Sequence, residues 1–298
     1  MKKDFGRLLT AMVTPFTEDG ALDYEQAQKL ALALLASGSD GLVVVGTTGE
    51  SPTLIREEEL RLFREIKAAV GEKGSVIAGT GSNSTREAVE TTQQAEECGV
   101  DACLLVVPYY NKPTQDGLYR HFKAIAENTG LPCILYNVPG RTVANMSSDT
   151  VIKLSKIENI IGIKEASGNL NEISRIIENT DSSFKVWSGN DNDTLPVLAL
   201  GGYGVVSVAS NIIGNQLHEM IDSFVSGDTA KAAKIHRHLL PLIDVLFKIA
   251  NPIPIKYAMN QIGFRVGNPR PPLYEPDENT ANLIKETLKQ YKMDLPVS

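Results

Sequence analysis

Short apolar segments and helical patterns alternate along the first three quarters of this 298-residue chain. The strand candidates are Leu8–Phe16, Gly41–Gly46, Ser75–Gly81, Ala102–Pro108, Pro132–Val138, Ile160–Ser167, Phe184–Asn190 and Gly204–Ala209. Each is rich in Val, Ile or Leu and is bounded by Gly, Pro, Asn or Ser, which is how strands read in a sequence. Runs apolar on both sides of the pleat suit parallel strands covered on both faces. The helical pattern between them is clearest in Arg56–Val70, where Leu60, Phe63, Ile66, Lys67 and Val70 recur at helical spacing. Asn83-Ser84-Thr85-Arg86-Glu87 offers caps for another helix, with an acid in its first turn. Eight strands alternating with helices fit an α/β fold, a closed (β/α)8 TIM barrel. The competitor is a doubly wound open sheet, which usually carries a glycine-rich dinucleotide turn after its first strand. Here that strand runs into Thr14-Pro15-Phe16 instead.

The remainder has a different pattern. Thr229–Ala250 and Glu278–Lys292 read as helices, broken by Asn251-Pro252-Ile253-Pro254 and Asn268-Pro269-Arg270-Pro271-Pro272. The expected division is a catalytic barrel over residues 1–225 and a helical region over 226–298 packed upon it.

A hydrophobic content of 42% is ample for one large core. The net charge of −7, with no dense basic stretch, argues against nucleic acid as a partner. No apolar run approaches the roughly 20 residues of a membrane helix, and the charged start Met1-Lys2-Lys3 makes a poor secretory signal. Cys98, Cys103 and Cys133 are odd in number and read as reduced core residues of a cytoplasmic protein. His121, His218, His236 and His238 show no ligand spacing, so neither metal nor cofactor is implied.

The unusual residues collect where strands end, the end at which barrels of this kind carry their active sites. Lys164 closes the sixth apolar run, Ile160-Ile161-Gly162-Ile163-Lys164. An isolated ammonium in such a place loses its hydration. A free lysine is only about 0.1% neutral near pH 7.4, whereas an amine desolvated in an apolar pocket can attack a carbonyl and form a Schiff base. The plainer alternative is a strand-end lysine that snorkels to water. If Lys164 faces the barrel interior, so does Gly162, leaving room below the amine, and Glu165 faces away. Tyr136 ends the neighbouring strand at similar height. Thr47 and Thr48 follow strand two, and Tyr109 and Tyr110 follow strand four. Arg141 supplies a cation suited to a carboxylate, and its plainer fate is a surface ion pair.

These segments resemble the signatures of the dihydrodipicolinate synthase and N-acetylneuraminate lyase family. The resemblance rests on Gly46-Thr47-Thr48-Gly49-Glu50, on Tyr136-Asn137-Val138-Pro139-Gly140-Arg141-Thr142 and on Gly162-Ile163-Lys164-Glu165-Ala166-Ser167-Gly168. Pro108-Tyr109-Tyr110-Asn111, Gly189-Asn190-Asp191 and Asn251-Pro252-Ile253-Pro254-Ile255-Lys256 agree with it, and it spans essentially the whole chain. Arg141 after Pro139-Gly140 is similar to the dihydrodipicolinate synthase branch. That implies condensation of pyruvate with aspartate-4-semialdehyde, the first committed step towards diaminopimelate and lysine.

The resemblance implies that Lys164 forms the Schiff base and that Tyr136, Thr47 and Tyr110 form a proton relay, Tyr110 coming from a neighbouring subunit. It implies that Thr48 and its loop amides hold the pyruvate carboxylate, and that Arg141 holds the carboxylate of the aldehyde. Gly189 and Val206 would flank pyruvate. A homotetramer, a pair of tight dimers, follows from the shared relay. An allosteric lysine site would draw on Ser51, Pro52, Arg56, Glu59, Asn83, Glu87 and Tyr109, with Arg56 disfavouring the ligand. The competing activities are a sister aldolase acting on sialic acid or a 2-keto-3-deoxy sugar acid, and a silent paralogue that only binds a small molecule. A phosphate-binding barrel is a further competitor, disfavoured by the acidic Gly189-Asn190-Asp191-Asn192-Asp193.

Overall fold

The computed structural model describes residues 4–296, so the charged start at residues 1–3 lies outside the described residues. Eight parallel strands close into a barrel: β1 (Leu8–Ala11), β2 (Gly41–Val44), β3 (Ser75–Gly79), β4 (Ala102–Val106), β5 (Cys133–Asn137), β6 (Ile160–Glu165), β7 (Lys185–Ser188) and β8 (Gly204–Ser207). Closure is the pairing of β8 with β1, in which Val206 faces Leu9. The strands are almost wholly buried, as expected where helices cover one face and the barrel interior the other.

Every strand stops short of the apolar run that predicts it. Met12, Val13 and Thr14, for example, lie beyond β1 yet are buried. Burial continues into the loops at the carboxyl ends after the ladder stops, so apolarity alone overstates strand length there.

The helix Arg56–Val70 forms as its periodicity predicts. Leu62, Phe63, Ile66 and Val70 make its inner face, while Leu60 is only partly buried. Lys67 leaves the core side and pairs with Asp101 at 2.8 Å. Glu57, Glu58 and Glu59 occupy the first turn, where the helix dipole favours negative charge.

The described residues from Thr229 onward form three helices, Thr229–Leu246, Ile253–Gln261 and Glu278–Leu288. The outer two are shorter than the sequence patterns suggest. The middle one falls where Asn251-Pro252-Ile253-Pro254 reads as a break. Its prolines sit at the helix start, where a missing N–H removes no intrahelical bond. These helices pack on one another, and Thr229–Leu246 lies along the preceding helix Ser210–Val225. Among the described residues no helix is long and apolar enough to cross a membrane. All three cysteines are buried free thiols.

Candidate active site

Parallel pairing sets Tyr136 of β5 directly beside Lys164 of β6. The Lys164 nitrogen lies 4.3 Å from the centre of the Tyr136 ring. The lysine is 5% exposed, and among the described residues no carboxylate lies within ion-pairing distance of it. Glu165 turns the other way, accepting from Asn137 Nδ2 at 3.0 Å and from the Ser167 amide at 2.7 Å. Asp191 is the nearby buried acid, but it spends its oxygens on Ser207 Oγ and on the amides of Val208 and Ala209. Burial pushes its carboxyl above the usual range, against the pull of those hydrogen bonds and of the Lys164 charge.

Gly162 does not leave space for a substrate. A Cβ there would lie 2.7 Å from the Trp187 ring, so the room beneath the lysine is filled by a buried indole. Gly189 has a clearer role, because a Cβ would come within 3.2 Å of Lys164 Cε and crowd the stem of the amine. Val206 is buried in β8.

The loop after β2 leaves the strand through Val45, whose φ of 59° is an outlier for a β-branched residue. Thr47 and Thr48 follow, and their backbone amides meet no acceptor among the described residues. Two unused amides on one tight turn make a concavity for an anion. Thr48 Oγ1 accepts from Asn251 Nδ2 at 2.9 Å, and Arg141 Nη2 donates to the Asn251 carbonyl at 3.1 Å. The loop ends at Glu50, which forms a fully buried ion pair with Lys256 at 2.8 Å. Desolvation lowers the Lys256 amine to about 8, with the Glu50 charge opposing the shift.

A cavity of about 160 Å³ opens beside the Tyr136 ring. Thr47 and Tyr136 share its wall with Ser51, Pro52, Arg56, Glu59, Glu87 and Tyr109. No hydrogen bond joins Tyr136 to Thr47 among the described residues. Arg56 Nη1 lies 3.3 Å from Glu59 Oε2 but is not aligned to bond it. Burial therefore wins over the nearby guanidinium, and the Glu59 carboxyl is pushed up to about 7. Glu87 accepts from Ser82 Oγ at 2.9 Å, and Asn83 donates to the Tyr109 carbonyl at 3.2 Å rather than lining the cavity. Tyr110 stands apart, 90% exposed at a φ of 73°.

Asn251, Lys256 and Glu50 stand in the family-like segments of the sequence, but the sequence assigns none of them a role and does not pair Glu50 with Lys256. The available signal was a lysine inside the apolar stretch Ile253-Pro254-Ile255-Lys256-Tyr257-Ala258-Met259.

A closed (β/α)8 barrel with an amine, hydroxyls and a guanidinium at the carboxyl ends of its strands defines a barrel enzyme with a nucleophilic centre. The chain belongs to the dihydrodipicolinate synthetase family, whose sequence model matches residues 4–291. It is 68% identical to the 4-hydroxy-tetrahydrodipicolinate synthase of Dehalococcoides mccartyi, strain ATCC BAA-2266, over 99% of each chain. The dihydrodipicolinate synthase of Bacillus anthracis superposes with a TM-score of 0.95 at 47% identity, covering 97% of this chain and 99% of the other. The enzyme of Cyanidioschyzon merolae, solved with lysine bound, superposes with a TM-score of 0.94 at 48% identity, covering 96% and 97%.

Proposed function

We propose that this chain is a 4-hydroxy-tetrahydrodipicolinate synthase, a lyase of lysine and diaminopimelate biosynthesis that joins pyruvate to aspartate-4-semialdehyde. The observation that carries the reading is the buried Lys164 amine, which lies against the Tyr136 ring with no carboxylate among the described residues at ion-pairing distance. The whole-chain identity to a protein of that name supports it.

In this reading Lys164 attacks the pyruvate carbonyl, and water leaves as the imine forms. The imine nitrogen, carrying a positive charge, draws electrons from the methyl group, which loses a proton to give an enamine. The enamine carbon then attacks the aldehyde carbon of the second substrate. The amino group of that substrate closes the ring onto the former carbonyl carbon and expels Lys164. Tyr136 moves the protons. A phenol needs a hydrogen-bonded partner for this work, and Thr47 supplies a hydroxyl on the wall of the same cavity. Tyr110, exposed on its own subunit, completes the relay of a neighbour, so the working unit is a homotetramer built from tight dimers. Thr48 and the two unused amides take the pyruvate carboxylate, Gly189 and Val206 wall the pyruvate site, and Arg141 takes the carboxylate of the aldehyde. The buried free thiols suit a cytoplasmic setting.

A coupled assay with pyruvate and aspartate-4-semialdehyde tests the function, run beside cleavage of sialic acid and of keto-deoxygluconate. Turnover of the first pair with neither cleavage is the expected result. Cleavage of a sugar acid without condensation would replace this reading with the sister aldolase.

A further inference from the structure

Asn251 touches both groups assigned above to substrate carboxylates. Its Nδ2 donates to Thr48 Oγ1 at 2.9 Å, and its backbone carbonyl accepts from Arg141 Nη2 at 3.1 Å. The residue is buried, and its Oδ1 has no partner among the described residues, so the bond to Thr48 is the single tether of this side chain. A threonine hydroxyl has one proton to give and accepts through its lone pairs. With Nδ2 donating to Oγ1, that proton is free to point away from Asn251.

The anchor is Lys256, in the first turn of the helix that follows Asn251. Lys256 Nζ donates to Glu50 Oε1 at 2.8 Å, to the Thr14 carbonyl at 3.0 Å and to the Asn268 carbonyl at 3.1 Å. Glu50 closes the loop that carries Thr48, and its Oε2 accepts from the Arg270 amide at 2.8 Å. The buried pair thus ties the helix that follows Asn251 to the loop that Asn251 must reach.

We propose that Asn251, anchored by the Lys256–Glu50 pair, is a positioning residue for both substrates. It aims the Thr48 proton at the pyruvate carboxylate and holds Arg141 ready for the carboxylate of the aldehyde. This inference rests on the roles given above to Lys164, Thr48 and Arg141. Asn251 forms and breaks no covalent bond.

The side chain and the backbone of Asn251 serve different substrates, so they can be separated. Asn251→Asp keeps the shape and the backbone carbonyl, but a carboxylate only accepts, so it draws the Thr48 proton to itself. The KM for pyruvate should rise roughly 10- to 100-fold, the scale of a lost hydrogen bond to a charged group. The KM for the aldehyde and the kcat at saturation should move less than about 3-fold. The pyruvate concentration that half-traps Lys164 under borohydride should rise in parallel. Asn251→Ala should fall between wild type and Asn251→Asp, and it serves if the aspartate variant does not fold. In a Thr48→Val background neither change should raise the pyruvate KM further.

Equal rises in both KM values, or an undiminished rise on Thr48→Val, would overturn the inference. Trapping of wild type and variant at the same pyruvate concentration would remove this inference alone. Absence of trapping in the wild type would remove the functional reading and this inference with it.

Discussion

The Arg141 guanidinium reaches the backbone carbonyl of Asn251 at 3.1 Å, a contact between positions 110 residues apart. It ties the turn after β5 to the start of a helix in the last part of the chain. One guanidinium nitrogen is thereby fixed while the side chain stays exposed enough to meet an incoming carboxylate. Arg141→Ala should leave pyruvate trapping intact and lower kcat/KM for the aldehyde. Loss of a charge-assisted contact is worth about 1.5–3 kcal/mol, roughly a 10- to 150-fold drop. Loss of pyruvate trapping with unchanged use of the aldehyde would contradict the assignment.

The Glu50–Lys256 pair has both side chains fully buried. Lys256→Met leaves Glu50 charged and unpartnered on one oxygen, and should cost about 3–5 kcal/mol in chemical denaturation. The double variant Glu50→Gln/Lys256→Met removes both charges and should recover more than half of that loss. Equal destabilisation by the single and double variants would show that packing, not charge pairing, dominates there.

The barrel was legible because its strands are apolar on both sides and its helices periodic, two patterns that come from local spacing alone. Lys164 and Tyr136 were legible for the same reason, since each ends an apolar run. Strand ends were not, because Met12, Val13 and Thr14 stay buried past the last ladder bond. The helix Ile253–Gln261 was hidden by Pro252 and Pro254, which read as breakers yet sit at the N-cap and in the first turn, where proline costs no bond. Asn251 and Lys256 were hidden for a different reason. Their partners, Thr48 and Glu50, lie 203 and 206 residues away in sequence, and no periodicity reports such a contact. Gly162 shows the limit of alternation arguments: its direction gave an expected space, and Trp187 fills it.

Glu59 sets a pH dependence whose sign follows from its shift. Its carboxyl is pushed by burial from 4.5 up to about 7, so the folded chain keeps a proton that the unfolded chain has released in that window. The folded state then binds more protons, and stability falls as pH rises from about 4.5 to 7. Glu59→Gln should erase this slope. Denaturation at pH 5 and pH 8 should show the variant gaining about 1–3 kcal/mol on the wild type between the two. A gain in the opposite direction would mean that Arg56 holds Glu59 charged.

Arg56 also bears on feedback. Its guanidinium lies on the wall of the cavity shared by Glu59 and Glu87, and Glu59 is largely neutral below about 7. A lysine ligand would bring its ammonium against a fixed positive charge. Titration with L-lysine at saturating pyruvate should give half-inhibition only above about 1 mM, a binding free energy weaker than roughly 4 kcal/mol. Arg56→His should strengthen inhibition. Half-inhibition of the wild type at micromolar lysine would show that the guanidinium swings clear.

The most direct test of the whole account is covalent capture of pyruvate. Among the described residues two lysines are deeply buried, Lys164 beside the Tyr136 ring and Lys256 paired with Glu50. Incubation with pyruvate and borohydride, followed by peptide mass spectrometry, should place one reduced adduct on Lys164 and none on Lys256. Lys164→Ala should abolish the adduct and keep the fold. An adduct on Lys256 or on any other lysine, or no adduct at all, would contradict the assignment of Lys164 as the nucleophile.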